Sequence, residues 1–267
     1  MADTKTPVMF VHGMWLHPTS WHPWADRFEA AGYDPVIAAW PGVADTVAAT
    51  RANPDAQAGN GLDEIAEHLG LFAATLNSKP ILIGHSVGGF LVEKLLGDDL
   101  GCAAIAISPA QIKGVKAVGI RQAKSLFSIL SHPGNRHKAV SLNSEQFKAS
   151  FANMLSQDES DELYERWTMP SPARTLFQLA LSAVEPHSPA AVNTANDARG
   201  PLLLMAAKQD HTVDQVLVHS AYKQYRNSSA VTELLDYDDR GHSLTVDRGA
   251  PKLIDDSLAW LEKQNLR

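Results

Sequence analysis

The chain has 267 residues, of which 45% are hydrophobic and 20% are charged. This length and composition fit one large domain, or a domain with an insertion, whose core is stable without disulfide or metal crosslinks. The net charge is −7 and the sequence has no run of lysine or arginine, which argues against nucleic acid as a partner.

Cysteine content and hydropathy bear on where the protein works. Cys102 is the only cysteine, so no internal disulfide can form, and this suits a reducing compartment. Residues 1–7 lack the charged-then-apolar pattern of a secretory signal, and no apolar run reaches the roughly 18 residues of a membrane-spanning helix. We therefore expect a cytoplasmic protein without a membrane span.

The N-terminal third alternates predicted strands and helices, a pattern typical of a parallel sheet covered on both faces. An apolar strand over residues 8–11 is followed by His12-Gly13-Met14-Trp15. A helix is predicted over 21–31, ended by Gly32, and a strand over 34–39. Apolar residues at helical spacing over 62–76 then predict an amphipathic helix directly before the next strand.

The most informative stretch is residues 80–89, where an apolar run ends abruptly in Ser86 between glycines. Residues 90–97 predict a helix, so Gly84-His85-Ser86-Val87-Gly88 lies at a sharp strand-to-helix turn. The small residues Gly84 and Gly88 leave room for a strained turn that exposes one side chain. We interpret this turn as a nucleophile elbow and Ser86 as the candidate nucleophile.

A long span separates the next two predicted strands, 103–108 and 202–207. Residues 111–199 are too many for a plain connection between two strands, so this span must form secondary structure of its own. Its apolar residues are spaced as in short amphipathic helices, with start signals at 143–145 and 156–159 and with prolines between the segments. These apolar faces must pack against another surface, and the edge of the sheet where the strands end is the surface available for this packing.

Two later loops supply the partners that a serine nucleophile needs, a base and an acid that orients the base. Asp210 follows the strand 202–207, and His242 follows a predicted strand over 231–237, with a last helix over 251–263. Loops at the carboxyl ends of parallel strands converge on one face, so both can reach Ser86. Taken singly, Ser86 fits an ordinary turn, Asp210 a helix cap and His242 a surface imidazole. Asp210 is favoured because it directly follows its strand, although four other acids lie nearby: Asp214, Asp236, Asp238 and Asp239.

The order Ser86, Asp210, His242 resembles the nucleophile, acid and base order of the α/β-hydrolase fold family, and the resemblance covers nearly the whole chain. It implies an α/β fold in which a mostly parallel sheet has helices on both faces and a helical cap insertion. Residues 1–110 and 200–267 would form the hydrolase core, and 111–199 the cap over the active site. The strand at 8–11 leaves no room for the family's usual first hairpin, so the number of strands stays open.

The resemblance also implies roles for individual residues. Ser86, Asp210 and His242 would form a catalytic triad, and the backbone N–H groups of Met14 and Val87 an oxyanion hole. The expected reaction is hydrolysis of a small, predominantly hydrophobic ester or lactone through an acyl-enzyme on Ser86. It needs no cofactor, and the histidine spacings match no known metal site. The side chains expected to line the substrate pocket are Trp15, Phe127, Phe151 and Trp167, with Trp24 as a further candidate.

The sequence leaves other chemistries open on the same fold. Members of the family include hydroxynitrile lyases, carbon–carbon bond hydrolases, perhydrolases and cofactor-free oxygenases, and some relatives are ligand receptors that do not turn their ligand over. Fold alone does not name a substrate. Both a monomer and a homodimer formed through the cap are compatible with the sequence.

Overall fold

The structure, a computed structural model, describes residues 5–115 and 128–266. Within these residues, six parallel strands form the main sheet, and the predicted fold class is confirmed. They are β1 (Pro7–Val11), β2 (Asp34–Ala38), β3 (Ile81–His85), β4 (Ala103–Ile107), β7 (Leu202–Ala207) and β8 (Thr232–Tyr237), and their order across the sheet is β2-β1-β3-β4-β7-β8. Two short strands, β5 (Ala139–Val140) and β6 (Ser171–Pro172), pair antiparallel in a separate small sheet.

Side chains alternate between the two faces of the main sheet, as the pleat of a strand requires. On one face Met9 and Val11 pack with a cluster that includes Phe90, and on the other Val8 and Phe10 pack with a second cluster. Every residue of β1, β3, β4 and β7 is buried, which is why these strands appear in the sequence as continuous apolar runs.

Helices cover both faces. His22–Ala30 and Ala250–Lys263 contribute to the cluster around Phe10, whereas Leu62–Ala73, Val87–Gly97 and Gln215–Tyr222 contribute to the cluster around Met9. The helix Val47–Ala52, which the sequence pattern did not predict, follows β2. Trp24 is fully buried in the Phe10 cluster, where its indole N–H donates to the Thr245 carbonyl at 2.9 Å. Trp15 and Phe151 belong to the other cluster, around Met9, and the suggestion that Trp24 lines the substrate cavity stays a prediction.

The segment between β4 and β7, called here the inserted segment (residues 111–199), contains α-helices, the short strands β5 and β6, and irregular stretches in its described part. Among the described residues, its longer helices are Ser144–Ser150, Gln157–Trp167 and Arg174–Leu181. Asn143 and Ser156 are the N-cap residues of the first two helices, and each forms a capping box. In this motif the cap side chain accepts from the backbone N–H three residues on, and the side chain of that residue accepts from the backbone N–H of the cap. Both predicted start signals are thus confirmed. No helix among the described residues is long and apolar enough to cross a membrane.

A buried acid lies in the helix behind the elbow. Glu93 is 1% exposed and accepts a hydrogen bond from the Tyr225 hydroxyl at 2.6 Å. Its other carboxyl oxygen has no partner among the described residues. Burial raises the pKa of Glu93 to about 8, against the opposing effects of the Tyr225 hydrogen bond and of the Arg199 charge. The carboxyl group is therefore protonated in the folded protein at neutral pH.

This pKa predicts a pH-dependent stability. An unfolded glutamate loses its proton near pH 4, but folded Glu93 keeps it to about pH 8, so the free energy of unfolding should fall as pH rises through that window. Glu93→Gln stays neutral and similar in shape. We expect it to unfold at a higher temperature than the wild type at about pH 9, and at a similar temperature near pH 5. Thermal unfolding measured at both pH values tests this, with the exposed Glu67→Gln as control, and parallel pH profiles for wild type and Glu93→Gln would contradict it.

Candidate active site

Ser86 lies at the sharp turn between β3 and the helix Val87–Gly97. Its backbone φ is 58° and ψ is −121°, a conformation that L residues rarely adopt and that is typical of functional turns. The turn is fixed on both sides. Ser86 N–H donates to the Ile107 carbonyl at 3.0 Å, and its own carbonyl accepts from Ala110 N–H at 2.9 Å. The side chain is thus presented from a rigid backbone at the carboxyl edge of the sheet.

Two glycines allow this turn to pack closely. A Cβ atom at Gly84 would overlap the carbonyl oxygen of Gly88, and one at Gly88 would overlap the carbonyl oxygens of Val11 and His12. The obstacles are backbone atoms, which cannot rotate away as a side chain can. The helix therefore packs directly against β1, which brings the loop after β1 next to Ser86.

We expect Gly88→Ala to destabilise the protein by about 3 kcal/mol or more, because the new methyl group would force the helix away from β1. Chemical denaturation with a two-state fit measures the change. Gly134→Ala is a matched control, since nothing lies within 4 Å of a Cβ at that position. Equal stability of the two variants would show that the elbow tolerates a side chain at Gly88.

The structure brings Ser86, His242 and Asp210 into one hydrogen-bonded line. His242 Nε2 lies 3.0 Å from Ser86 Oγ, and His242 Nδ1 lies 2.7 Å from Asp210 Oδ2. All three residues are buried, with exposed fractions of 5%, 0% and 2% respectively. With Nδ1 donating to the carboxylate, Nε2 is left to accept the serine proton. This is the arrangement that general-base activation of a serine requires.

Asp210 is itself held in place by the backbone. Its Oδ1 accepts from the N–H groups of Thr212 at 2.7 Å and Val213 at 2.8 Å, which leaves Oδ2 for the histidine. The other acids considered from the sequence have different partners. Asp214 caps the helix Gln215–Tyr222, Asp236 pairs with His219, Asp238 with Lys208, and Asp239 with Arg240.

Two further rings enclose His242. The rings of His85 and Phe151 each lie with their centroids 4.5 Å from that of His242, and the Phe151 contact is edge-to-face. Burial, reinforced by the neighbouring His242, holds the pKa of His85 well below its usual value. His85 is therefore a neutral packing partner of His242. The contact was not foreseen because it joins two distant parts of the chain.

The loop after β1 passes directly over Ser86. A Cβ at Gly13 would lie 2.9 Å from Ser86 Cβ and 2.7 Å from the His85 carbonyl oxygen, so the loop is in backbone contact with the elbow. His12 supports the loop as a neutral ring, since burial lowers its pKa to about 3. Its Nδ1 donates to the Gly13 carbonyl at 2.8 Å and its Nε2 accepts from Trp40 N–H at 3.2 Å.

Comparison with known sequences agrees with this geometry. Residues 8–253 match the sequence model of the Alpha/beta hydrolase family. The chain belongs to the α/β-hydrolase family. No curated protein has a sequence that matches this one.

Solved structures resemble this α/β hydrolase over almost its whole length. A methylesterase from Arabidopsis is 17% identical with a TM-score of 0.65, and the similarity covers 97% of this chain and 99% of that one. A monoacylglycerol lipase from Paleococcus ferrophilus is 16% identical with a TM-score of 0.66, over 97% and 96% of the two chains. Polyneuridine aldehyde esterase is 14% identical with a TM-score of 0.64, over 97% and 99%. At these identities the similarity establishes the fold alone.

The side chains predicted to line a pocket in this α/β hydrolase lie in different places. Trp15 and Phe151 are buried with ring centroids 6.3 Å apart, and Phe151 reaches His242. The guanidinium carbon of Arg166 lies 4.5 Å from the centroid of the Trp167 ring. Trp167 also lines, with Thr245, a separate surface cleft of about 360 Å³. Phe127 lies outside the described residues.

Metal binding has no support in the described part of this α/β hydrolase. No three histidine, cysteine, aspartate or glutamate side chains there are grouped so that they could hold an ion. Besides the contact of His85 with His242, sequence reasoning missed the contacts between the inserted segment and the loop after β1. Met169 and Ser171 are the main examples, and no periodic signal marks them because β6 has only two residues.

Proposed function

We propose that this α/β hydrolase cleaves small, predominantly hydrophobic esters or lactones through an acyl-enzyme on Ser86. The observation that carries the proposal is the buried hydrogen-bonded line from Ser86 Oγ through His242 to Asp210, with links of 3.0 and 2.7 Å. A serine hydroxyl is a weak nucleophile at neutral pH, and a positioned imidazole with a carboxylate behind it supplies the missing base.

The proposed reaction has two halves. Ser86 Oγ attacks the carbonyl carbon while its proton passes to His242 Nε2, and Asp210 stabilises the imidazolium that forms. The tetrahedral intermediate then expels the alcohol, which takes the proton from His242, and leaves an ester on Ser86. Water repeats the sequence with His242 again as base. The acid is released and Ser86 is regenerated.

The oxyanion of each tetrahedral intermediate needs hydrogen-bond donors in place beforehand. We assign this role to the backbone N–H groups of Met14 and Val87. The approach of Gly13 to Ser86 Cβ supports Met14, the next residue in the loop. Val87 is the first residue of the helix Val87–Gly97, whose N-terminal N–H groups and dipole favour negative charge.

The proposed substrate class rests on the apolar surroundings of His242. Phe151 of the inserted segment meets the imidazole edge-to-face, and Trp15 packs against Phe151. We therefore propose that residues 111–199 form a cap, and that Trp15 of the loop after β1 and Phe151 of the cap, with Phe127 and Trp167 of the cap as further candidates, contact the acyl group. The names of the similar structures, a methylesterase, a lipase and an aldehyde esterase, agree with ester substrates.

Steady-state hydrolysis of p-nitrophenyl esters, with acyl chains from acetyl to dodecanoyl, tests this function. We expect turnover with an optimum at a short or medium acyl chain, because a pocket closed by aromatic side chains limits length. A folded protein that turns over no ester in the series would contradict the proposal and favour a lyase, a carbon–carbon bond hydrolase or a receptor.

A further inference from the structure

Trp15 has a backbone conformation that its side chain disfavours. Its φ is 65°, in the left-handed region, where a bulky non-glycine residue is a genuine outlier. Such a conformation is strained and persists only where the surroundings fix it. The strained residue directly follows Met14, the proposed oxyanion donor. What holds Trp15 therefore also sets the backbone at Met14.

The contacts that hold Trp15 come from the inserted segment. Trp15 N–H donates to Ser171 Oγ at 2.7 Å, and its carbonyl accepts from Met169 N–H at 3.0 Å. Its indole N–H donates to the Val140 carbonyl at 3.0 Å. Leu16 and Thr168 form a β-bridge, and His17 N–H donates to the Trp167 carbonyl at 2.9 Å. The loop after β1 is thus paired with a strand-like stretch more than 120 residues further along the chain.

Ser171 differs from the other partners because it acts through its side chain. It is fully buried, and its hydroxyl oxygen accepts the Trp15 N–H at a short distance. Backbone partners survive a change of side chain, but this acceptor does not. Without it, the Trp15 N–H is buried and unpaired, which favours rotation of the peptide that joins Trp15 to Met14.

We propose that Ser171 is a positioning residue of the oxyanion hole. Its hydroxyl fixes the peptide between Met14 and Trp15 and with it the left-handed conformation of Trp15. It thereby restricts the position of the Met14 backbone, from which the Met14 N–H is presented to the carbonyl oxygen above Ser86. This inference rests on the proposed function. It makes the inserted segment part of the catalytic framework, because a residue of that segment sets the geometry of a group that acts in the transition state.

Ser171→Ala tests the inference, and Ser160→Ala is its matched control. Both serines are fully buried in the inserted segment, but the Ser160 hydroxyl has no partner among the described residues. We expect Ser171→Ala to lower kcat for the best p-nitrophenyl ester by about 10- to 100-fold, less than the loss of an entire oxyanion donor. KM should change by less than about twofold, because the donor acts on charge that exists only in the transition state. Ser160→Ala should match the wild type.

Two more variants separate positioning from stability. Ser171→Thr keeps the hydroxyl acceptor and should recover most of the lost kcat. Ser171→Cys keeps the shape with a weak acceptor, so it replaces the alanine variant if that variant does not fold. A kcat for Ser171→Ala within about twofold of that of Ser160→Ala, or a loss confined to KM, would overturn the inference.

The wild type and Ser86→Ala, run in the same assay, keep the two proposals distinguishable. Ester turnover by the wild type that is lost in Ser86→Ala but unchanged in Ser171→Ala overturns only the role of Ser171. A wild type without ester turnover removes the proposed function and, with it, the oxyanion role assigned to Met14 and Ser171.

Discussion

Replacing Ser86 by alanine should lower kcat for ester hydrolysis by about 10⁵- to 10⁶-fold, with little change in folding stability. The expected effect is large because the serine oxygen is the only atom of the protein that bonds covalently to the substrate in the proposed mechanism. In Ser86→Ala, His242 can still activate a water molecule in place of the hydroxyl that lies 3.0 Å from its Nε2 in the wild type. The variant lacks the rate gain that comes from a nucleophile fixed in the active site. Residual activity would come from the oxyanion donors and from substrate binding.

Ser108→Ala is the control for this loss. Ser108 is fully buried just after β4, close to the elbow in the sheet, and its hydroxyl has no partner among the described residues. It should keep activity within about twofold of the wild type, since it removes the same atom outside the hydrogen-bonded line. A Ser86→Ala enzyme that keeps more than about a hundredth of wild-type kcat would remove Ser86 from the role of nucleophile.

Asp210→Asn should lower kcat by about 10⁴-fold while the fold is preserved. The backbone N–H groups of Thr212 and Val213 both donate to Oδ1, so the asparagine carbonyl must stay at that position. The amide NH₂ then faces His242 Nδ1, which can pair with it only as an acceptor. This forces the proton onto Nε2, where the imidazole can no longer accept the proton of Ser86.

Steady-state kinetics and thermal unfolding of Asp210→Asn and Asp214→Asn together test this prediction. Asp214 lies four residues away and caps the helix Gln215–Tyr222, where asparagine is an equally good cap. Its replacement should leave kcat nearly unchanged. If Asp214→Asn loses activity and Asp210→Asn does not, the assignment of the acid is wrong.

The strands and the contact of Ser86, His242 and Asp210 were predictable from the sequence because each has a local signal. Strands β3, β4 and β7 are buried on both faces and therefore appear as unbroken apolar runs. Ser86 lies between glycines that the close packing of the elbow requires. Asp210 and His242 each follow a strand, and parallel strands bring the loops at their carboxyl ends together. Chain order and topology alone were enough to bring these three residues to one edge.

The contacts between the inserted segment and the loop after β1 could not be predicted in this way. Ser171 lies in a two-residue strand without alternation or periodicity, and its partner Trp15 is 156 positions away. The left-handed conformation of Trp15 has no sequence signal either, because glycine and asparagine are the residues that normally adopt it. Pairwise contacts of this kind are set by the three-dimensional packing of the inserted segment against the loop after β1.

Peptide mapping by mass spectrometry after reaction with a fluorophosphonate tests the central claim most directly, that His242 activates Ser86 as the nucleophile. The reagent phosphonylates an activated serine and stays bound. We predict one adduct per chain, on the peptide that contains Ser86, with loss of esterase activity in proportion to labelling and no adduct in Ser86→Ala or His242→Ala. Esterase activity that persists with Ser86 fully labelled, or inactivation with the adduct on another residue, would contradict the account.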